Sequence, residues 1–364
     1  MSKVLFLVNH DVVIYNFRLE LVERLRSDGH EVVISSPYGE RIEDLKALGC
    51  EFREIEISRH GMNPAQELKL LANYIKLLKD VRPDIVLTYT IKPNIYGGIA
   101  SALLGIPYVA NITGLGTAVE NGGMVQKLTV LLYKLAFVNV QRVFFQNEEN
   151  RQFFADRKIA VSRHGMLPGS GVNLQRFVPL AYPEGEKTEF VFISRIMKEK
   201  GAEQYLDAAE AIRAKYPDTV FHVCGFCEDH YEARLQEMQQ RGVIVYHGMV
   251  RDVKAVLERT HCTIHPTFYP EGISNVLLES CACARPIITT DRSGCREVID
   301  DGINGFVVKQ RSTEDLIEKI EKFLTLSREQ RKAMGEAGRA KVEQEFDRQI
   351  VVGKYLEEIE KVKV

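Results

Sequence analysis

Two glutamates eight residues apart, Glu271 and Glu279, stand in the stretch His265–Pro286, HPTFYPEGISNVLLESCACARP. Pro270 and Gly272 mark a loop, and Ser274 or Asn275 can cap a helix whose apolar face begins at Val276, Leu277 and Leu278. Glu271 then lies on the loop ahead of that helix, and Glu279 one turn inside it on the face of Asn275. The helix start between the two acids offers unpaired N–H groups and partial positive charge, a seat for a phosphate. An anion seat flanked by acids suits a nucleotide diphosphate carrying a group to be transferred. The plain alternative is a surface loop and a core helix with solvated glutamates. A second stretch, SRIMKEKG (Ser194–Gly201), places Arg195, Lys198 and Lys200 after an apolar run. An arginine fork and a compact ammonium can neutralise a diphosphate without a metal. In isolation such a stretch is most often a solvated loop.

Other polar or glycine-bearing loops follow apolar runs. They are Asn9-His10-Asp11, Thr90-Ile91-Lys92-Pro93-Asn94, Asn111-Ile112-Thr113-Gly114-Leu115-Gly116 and His247-Gly248-Met249-Val250. By position each is a candidate ligand loop. His10 could act as a base, but a lone histidine beside a helix start is more often a structural hydrogen-bonding group. Gly114-Leu-Gly116 lacks the third glycine of the dinucleotide fingerprint and does not open into a helix, which argues against a dehydrogenase.

The elements that must position these loops alternate regularly. Apolar strands are expected at Val4–Val8, Glu31–Ser35, Phe52–Ile57, Ile85–Leu87, Tyr108–Asn111 and Arg142–Gln146. Helices are expected at Tyr15–Gly29, Arg41–Leu48, Pro64–Val81, Tyr96–Leu104 and Val125–Phe137. The rhythm breaks over PGSGVNLQRFVPLAYPEGEK (Pro168–Lys187), which reads as a linker. It restarts with strands at Phe190–Ile193, Thr219–Cys224, Val243–Tyr246, Cys262–His265, Pro286–Thr289 and Gly305–Val308. The matching helices fall at Ala202–Tyr216, His230–Arg241, Val253–Arg259 and Ser312–Leu324, with a helical turn at Arg296–Val298 and a last helix in Asp347–Val362. Strands this apolar between helices imply parallel sheets covered on both faces. The expected fold class is α/β, with two doubly wound Rossmann-like domains. The expected boundaries are residues 1–170, a linker at 171–187, residues 188–345, and a C-terminal helix at 346–364. Ligands of such sheets bind at the carboxyl ends of strands, so a two-domain version faces its ligand across a cleft.

Composition narrows the function. A length of 364 residues supports two cores, and a net charge of −2 excludes a protein built to bind nucleic acid through its bulk charge. The N-terminus MSKVLFLVNHD lacks the features of a signal peptide, and Lys134, Asn139 and Arg142 interrupt the longest apolar region. Seven cysteines, an odd number, suit reduced thiols in the cytoplasm; Cys224-Gly-Phe-Cys227 has no second pair at zinc spacing. Gly61–Arg82 and Val125–Arg142 are apolar and studded with lysines, a pattern compatible with an anionic bilayer surface or with core helices bearing solvated lysines.

Together these residues amount to a family resemblance. EGISNVLLE (Glu271–Glu279) resembles the E-x7-E element of retaining glycosyltransferases, and SRIMKEKG their G/S-R-x4-K-G loop. GVNLQRF (Gly171–Phe177) precedes them in the usual order and GCREVIDDGINGF (Gly294–Phe306) follows. The whole chain resembles glycosyltransferase family 4, with the GT-B fold. IYNFR (Ile14–Arg18), TIKPNIYGG (Thr90–Gly98) and NITGLG (Asn111–Gly116) resemble a bacterial subgroup that builds capsule, O-antigen or glycoprotein glycans on polyprenyl diphosphate. The resemblance implies a UDP-sugar donor, a polyprenyl-diphosphate-linked saccharide acceptor, no metal or other cofactor, and a cytoplasmic enzyme peripheral on the inner membrane face. It implies that Arg195 and Lys200 hold the diphosphate, Glu279 the ribose and Glu271 the transferred sugar. The amides of Gly272, Ile273, Ser274 and Asn275 would assist, and Gly248–Val250 would read the base. His10, Lys92, Asn94, Thr113 and Gly114 fall on the acceptor side. The usual Gly-Gly loop is replaced here by Asn9-His10-Asp11-Val12-Val13, and the usual histidine of domain one by Thr90–Lys92. The competing readings are a UDP-sugar epimerase of the same fold and a non-catalytic UDP-sugar-binding protein.

Overall fold

The computed structural model describes residues 1–57, 63–116, 119 and 122–363. The chain forms two compact units, one of Met1–Gly171 with Arg348–Val364 and one of Val172–Asp347. The first begins β1 (Lys3–Leu7), α1 (Asp11–Phe17), α2 (Leu19–Ser27), β2 (Glu31–Ser36), α3 (Ile42–Ala47), β3 (Glu51–Glu54), α4 (Pro64–Val81) and β4 (Ile85–Tyr89). A π-helical turn, Pro93–Gly97, then runs into α5 (Gly98–Leu104), followed by β5 (Tyr108–Ile112), α6 (Gly123–Ala136), β6 (Arg142–Phe145), α7 (Glu148–Asp156) and β7 (His164–Met166). Gly61, at the start of the expected lysine-bearing helix, lies outside the described residues. The seven strands are all parallel in the order β3-β2-β1-β4-β5-β6-β7, so the order reverses between β1 and β4.

The second unit contains β8 (Thr188–Ile193), α8 (Ala202–Lys215), β9 (Thr219–Cys224), α9 (Glu232–Gln240), β10 (Ile244–Tyr246), α10 (Val253–Arg259) and β11 (Cys262–His265). It continues with α11 (Asn275–Ala282), β12 (Ile287–Thr290), β13 (Gly305–Val308), α12 (Thr313–Thr325) and α13 (Arg328–Glu345). Its parallel sheet has the order β10-β9-β8-β11-β12-β13, reversing between β8 and β11. The last helix, α14 (Arg348–Glu360), belongs to the first unit. Val351, Val352, Tyr355 and Ile359 join the core under β1, β4 and β6, and Asn111 donates to the Tyr355 hydroxyl at 2.8 Å. Four core clusters divide cleanly, two in each unit.

Several expectations need correction. Tyr15–Gly29 is not one helix. The buried Arg18 breaks it by turning its guanidinium between the rings of Tyr89 (5.1 Å) and Tyr355 (5.6 Å). Residues 172–187, expected as a linker, are part of the second unit. Phe177 and Tyr182 are buried there, and the fully buried Arg285 donates to the carbonyls of Leu180 and Ala181. Arg296–Val298 is a hydrogen-bonded turn rather than a helix.

Where the chain passes from one unit to the other, its two crossings are tied within their own units. Arg348 donates to the Gly171 carbonyl at 3.1 Å, and a Cβ on Gly171 would meet the Arg348 backbone. One residue further on, Val172 N–H donates to the Phe346 carbonyl at 2.8 Å and bridges Asp347.

Candidate active site

The loops after β8 and β11 flank the point where strand order reverses in the second unit, where open α/β sheets hold their ligands. Lys200, 6% exposed, comes from the first. Its ammonium lies 2.7 Å from Glu271 Oε2 on the second. The two loops are stitched together by Phe268 N–H, which donates to the Glu199 carbonyl at 2.8 Å. Gly201, at φ +78°, brings the lysine loop so close that a Cβ would sit 2.2 Å from the Pro266 carbonyl oxygen. A third strand end joins them after β12. Ser274 N–H donates to the Gly294 carbonyl at 2.9 Å, and a Cβ on Gly294 (φ +95°) would lie 1.8 Å from the Gly272 carbonyl oxygen. The glycine of the GCREVI stretch thus closes against the loop bearing Glu271.

Burial alone would raise the carboxyl of Glu271. The Lys200 charge, with His265 behind it, outweighs that effect and holds it at about 2. His265, 1% exposed, places Nε2 3.6 Å from Glu271 Oε1. Burial chiefly, and the nearby Lys200 charge, push this imidazole below its ordinary value against the pull of Glu271, so it stays neutral. His265, Glu271 and Cys295 bring potential ligand atoms within 4.8 Å of one another. The Lys200 ammonium already pairs with that carboxylate, and burial pushes the Cys295 thiol up to about 12.

Arg195 is half-buried beside Lys200, and the two cations share the Tyr269 ring at 5.3 and 4.8 Å from its centroid. Arg195 also pairs with Glu228 at 2.5 Å. Ser274 stands at the N-cap of α11 without a side-chain capping bond. Its amide, expected to serve a ligand, is instead spent on Gly294. Glu279 lies half-buried on α11, with Asn275 a turn before it, as the spacing predicts. The base-side loop is anchored from beneath. The Gly248 carbonyl accepts from Gly225 N–H at 2.8 Å, and Val250 packs on the core. His247, which opens that loop, meets His222 at 2.9 Å, and His222 in turn meets Glu189 at 2.7 Å. His265 and Tyr269 were not singled out as site residues in the sequence, and His247 entered only as the first residue of a candidate loop. His265 and Tyr269 flank the Glu271 loop, and that adjacency was their only signal.

The first unit collects its candidates at the corresponding reversal, after β1 and β4. His10 is the N-cap of α1. Its Nδ1 accepts from Val12 N–H at 3.2 Å when unprotonated and pairs with the buried Asp11 carboxylate at 2.6 Å when protonated. The structural role expected for a lone histidine there is the one observed. Lys92 pairs with Glu67 at 2.5 Å, on the wall of a cavity of 170 Å³ that also takes in Gln66 and Asn73. Asn94 is only 1% exposed. It accepts from Thr88 Oγ1 and donates to the Asn111 carbonyl, which removes it from the ligand-facing set. Thr113 and Gly114, at φ +150°, remain partly exposed at the end of β5. Thr90 adopts a left-handed φ of 67°, and the π-helical turn follows three residues later, two irregularities that concentrate at functional loops.

Both units of the chain are similar to known proteins. Residues 181–341 match the family "Glycosyl transferases group 1", and residues 3–147 match "Glycosyl transferase 4-like". The N,N'-diacetylbacillosaminyl-diphospho-undecaprenol alpha-1,3-N-acetylgalactosaminyltransferase of Campylobacter jejuni is 27% identical over 98% of each chain. The UDP-Gal:alpha-D-GlcNAc-diphosphoundecaprenol alpha-1,3-galactosyltransferase of Escherichia coli is 24% identical over 70% of each. Among solved structures, a glycosyltransferase from Rickettsia africae superposes with a TM-score of 0.83 at 20% identity, covering 99% of this chain and 98% of that one. Anabaena Alr3699/HepE in complex with UDP and glucose gives 0.80 at 15%, covering 99% and 100%. The two parallel sheets and the two matched domains converge: the chain belongs to the glycosyltransferases, its halves matching the group 1 and the 4-like family models, with the GT-B fold.

Proposed function

We propose that this enzyme moves a sugar from a UDP-sugar, with retention of configuration, to a saccharide carried on polyprenyl diphosphate. The acceptor would be met at the inner face of the cytoplasmic membrane, during assembly of a bacterial surface or glycoprotein glycan. The observation that carries the reading is the pair of the buried Lys200 and the part-buried Glu271 at the strand-order reversal, 2.7 Å apart with Arg195 alongside. Support for the substrates comes from the relatives, whose names specify diphospho-undecaprenol acceptors and, in one, UDP-galactose.

The chemistry follows from the charges. As the bond between the anomeric carbon and the UDP oxygen breaks, negative charge gathers on the diphosphate. Lys200 and Arg195 neutralise it in place, without a metal. The acceptor hydroxyl bonds to the same face of that carbon, and its proton passes to the departing phosphate oxygen. Glu271, kept ionised, accepts hydrogen bonds from the sugar hydroxyls. Glu279 accepts from the ribose, Gly248–Val250 read the uracil, and the amides of Gly272 and Asn275 serve the phosphate and sugar. Positioning supplies most of the remaining acceleration.

Lys200→Ala and Glu271→Gln are each expected to lower kcat for acceptor-dependent UDP release by about 100-fold or more. Glu279→Gln should mainly raise KM for the donor. A panel of UDP-sugars against lipid-linked acceptors tests this directly. Full transfer by either Lys200→Ala or Glu271→Gln would sink the site assignment. Conversion of UDP-sugar without any acceptor would favour an epimerase.

A further inference from the structure

The first unit carries an apolar face that the fold does not use. Helix α6 (Gly123–Ala136) turns Thr129, Tyr133 and Ala136 into the core, where Tyr133 packs against Phe137 and Phe154. The opposite side holds Met124, Leu128, Leu131 and Leu135, with Val138 just beyond the helix, each between 45% and 86% exposed. Their spacing places the four helical ones within an arc of roughly 60°. An outward arc of large aliphatic residues inverts the usual surface helix, which turns its polar side to water.

The charge beside this arc on α5 and α6 is positive only. Lys127 and Lys134 border it on the helix itself. Between Asp84 and Glu148 the sequence holds a single acidic residue, Glu120. Helix α5 packs beside α6, close enough that a Cβ on Gly98 would touch the Ala136 carbonyl at 3.3 Å, and it adds the exposed Leu103. Helix α4 borders α5 in the same layer and exposes Lys69, Lys76 and Lys79 beside one exposed acid, Asp80, with Lys69 3.9 Å from Glu56. Of the two helices expected to suit a bilayer, α4 therefore supplies charge and α6 supplies grease.

We propose that this α4–α5–α6 face docks on an anionic phospholipid bilayer, with the α6 arc buried among the acyl chains and the lysines at the headgroups. A second copy of the chain fits less well, because neither α5 nor α6 carries an acidic residue to meet the α6 lysines of the other copy. No helix among the described residues is long and apolar enough to cross a membrane, and a 14-residue helix with a cationic border suits the plane of the interface. The inference deepens the acceptor reading above, since a polyprenyl-linked saccharide resides in such a bilayer.

The test is flotation of the full-length protein with vesicles of phosphatidylglycerol and phosphatidylethanolamine, or of phosphatidylcholine alone. The wild type should float with the anionic vesicles, less so at high salt, and weakly with the neutral ones. The double variant Leu128→Glu/Leu135→Glu should lose at least tenfold in partitioning while keeping its melting temperature, because both residues point outward. Lys76→Glu/Lys79→Glu should weaken binding and flatten its salt dependence. Failure of the wild type to float at low salt, or equal flotation of the leucine variant, overturns the proposal. So does a solution dimer that the leucine variant dissociates and that ignores vesicles. Transfer to a water-soluble, short-chain acceptor is measured in parallel and should be unchanged in the leucine variant. Absence of transfer in the wild type counts against the acceptor reading and leaves the flotation result standing by its own outcome.

Discussion

At the scale of single residues, His265 gives the site its least expected property. It donates no charge, yet it stands 3.6 Å behind the part-buried Glu271 carboxylate while itself only 1% exposed. A neutral imidazole there can fix the carboxylate's orientation while Lys200 fixes its charge. His265→Asn, which keeps a donor, should retain more activity than His265→Ala. The alanine variant should lose about 10- to 100-fold in kcat with a smaller change in donor KM; equal losses would reduce His265 to a packing residue. Glu271 carries a pH prediction. Its folded value of about 2 lies below the ordinary 4.5, so the stability it contributes is complete above 4.5 and is lost as pH falls toward 2. Between pH 4.5 and 2 the wild type should lose stability more steeply than Glu271→Gln in denaturant titrations. Glu271 should contribute no acid limb to the kcat/KM profile near pH 4 to 5. Residue type and spacing made Glu271, Glu279, Arg195 and Lys200 candidates, and the family resemblance gave them their expected roles. His265 was not among them, because its importance lies in what stands within 4 Å of it in space.

At the scale of elements, the three strand ends around Lys200 and Glu271 are held by contacts that admit no side chain. Gly294→Ala would drive a methyl into the Gly272 carbonyl at a φ of +95°, with a cost of about 1–3 kcal/mol. It should also lower affinity for UDP, measured calorimetrically, because the Glu271 loop shifts with it; unchanged binding would separate the GCREVI glycine from the site. Most strands were legible to within two residues, since fully buried parallel strands must be continuously apolar. Helix α13 went unread because just four of its residues, Met334, Gly335, Gly338 and Val342, are buried. Its two glycines look like breakers, yet a Cβ on Gly335 would meet the Ala284 carbonyl at 2.2 Å, so they mark close packing. Its capping box, Ser327 with Gln330, was the overlooked signal. Helix α1–α2 failed for the opposite reason. Its periodicity is continuous, and only the aromatic seat of Arg18 breaks it.

At the scale of the whole molecule, each unit owns its sheet and its core, and α14 completes the first rather than the second. The polypeptide 172–347 is therefore expected to fold cooperatively alone and to bind UDP with an affinity close to that of the full chain, as read by thermal melting and calorimetry. Transferase activity should be absent, because the whole first unit, proposed to meet the acceptor, is missing. What residue 172 does at its crossing extends this. By bonding to Phe346 and bridging Asp347, the ends of the second unit close on one another, just as Gly171 and Arg348 close the first. In the currency of inheritance, the second unit is a cassette with its seam already sewn. On the function proposed above, recombination at the codons for 171/172 and 347/348 would exchange the donor site while leaving the first unit intact.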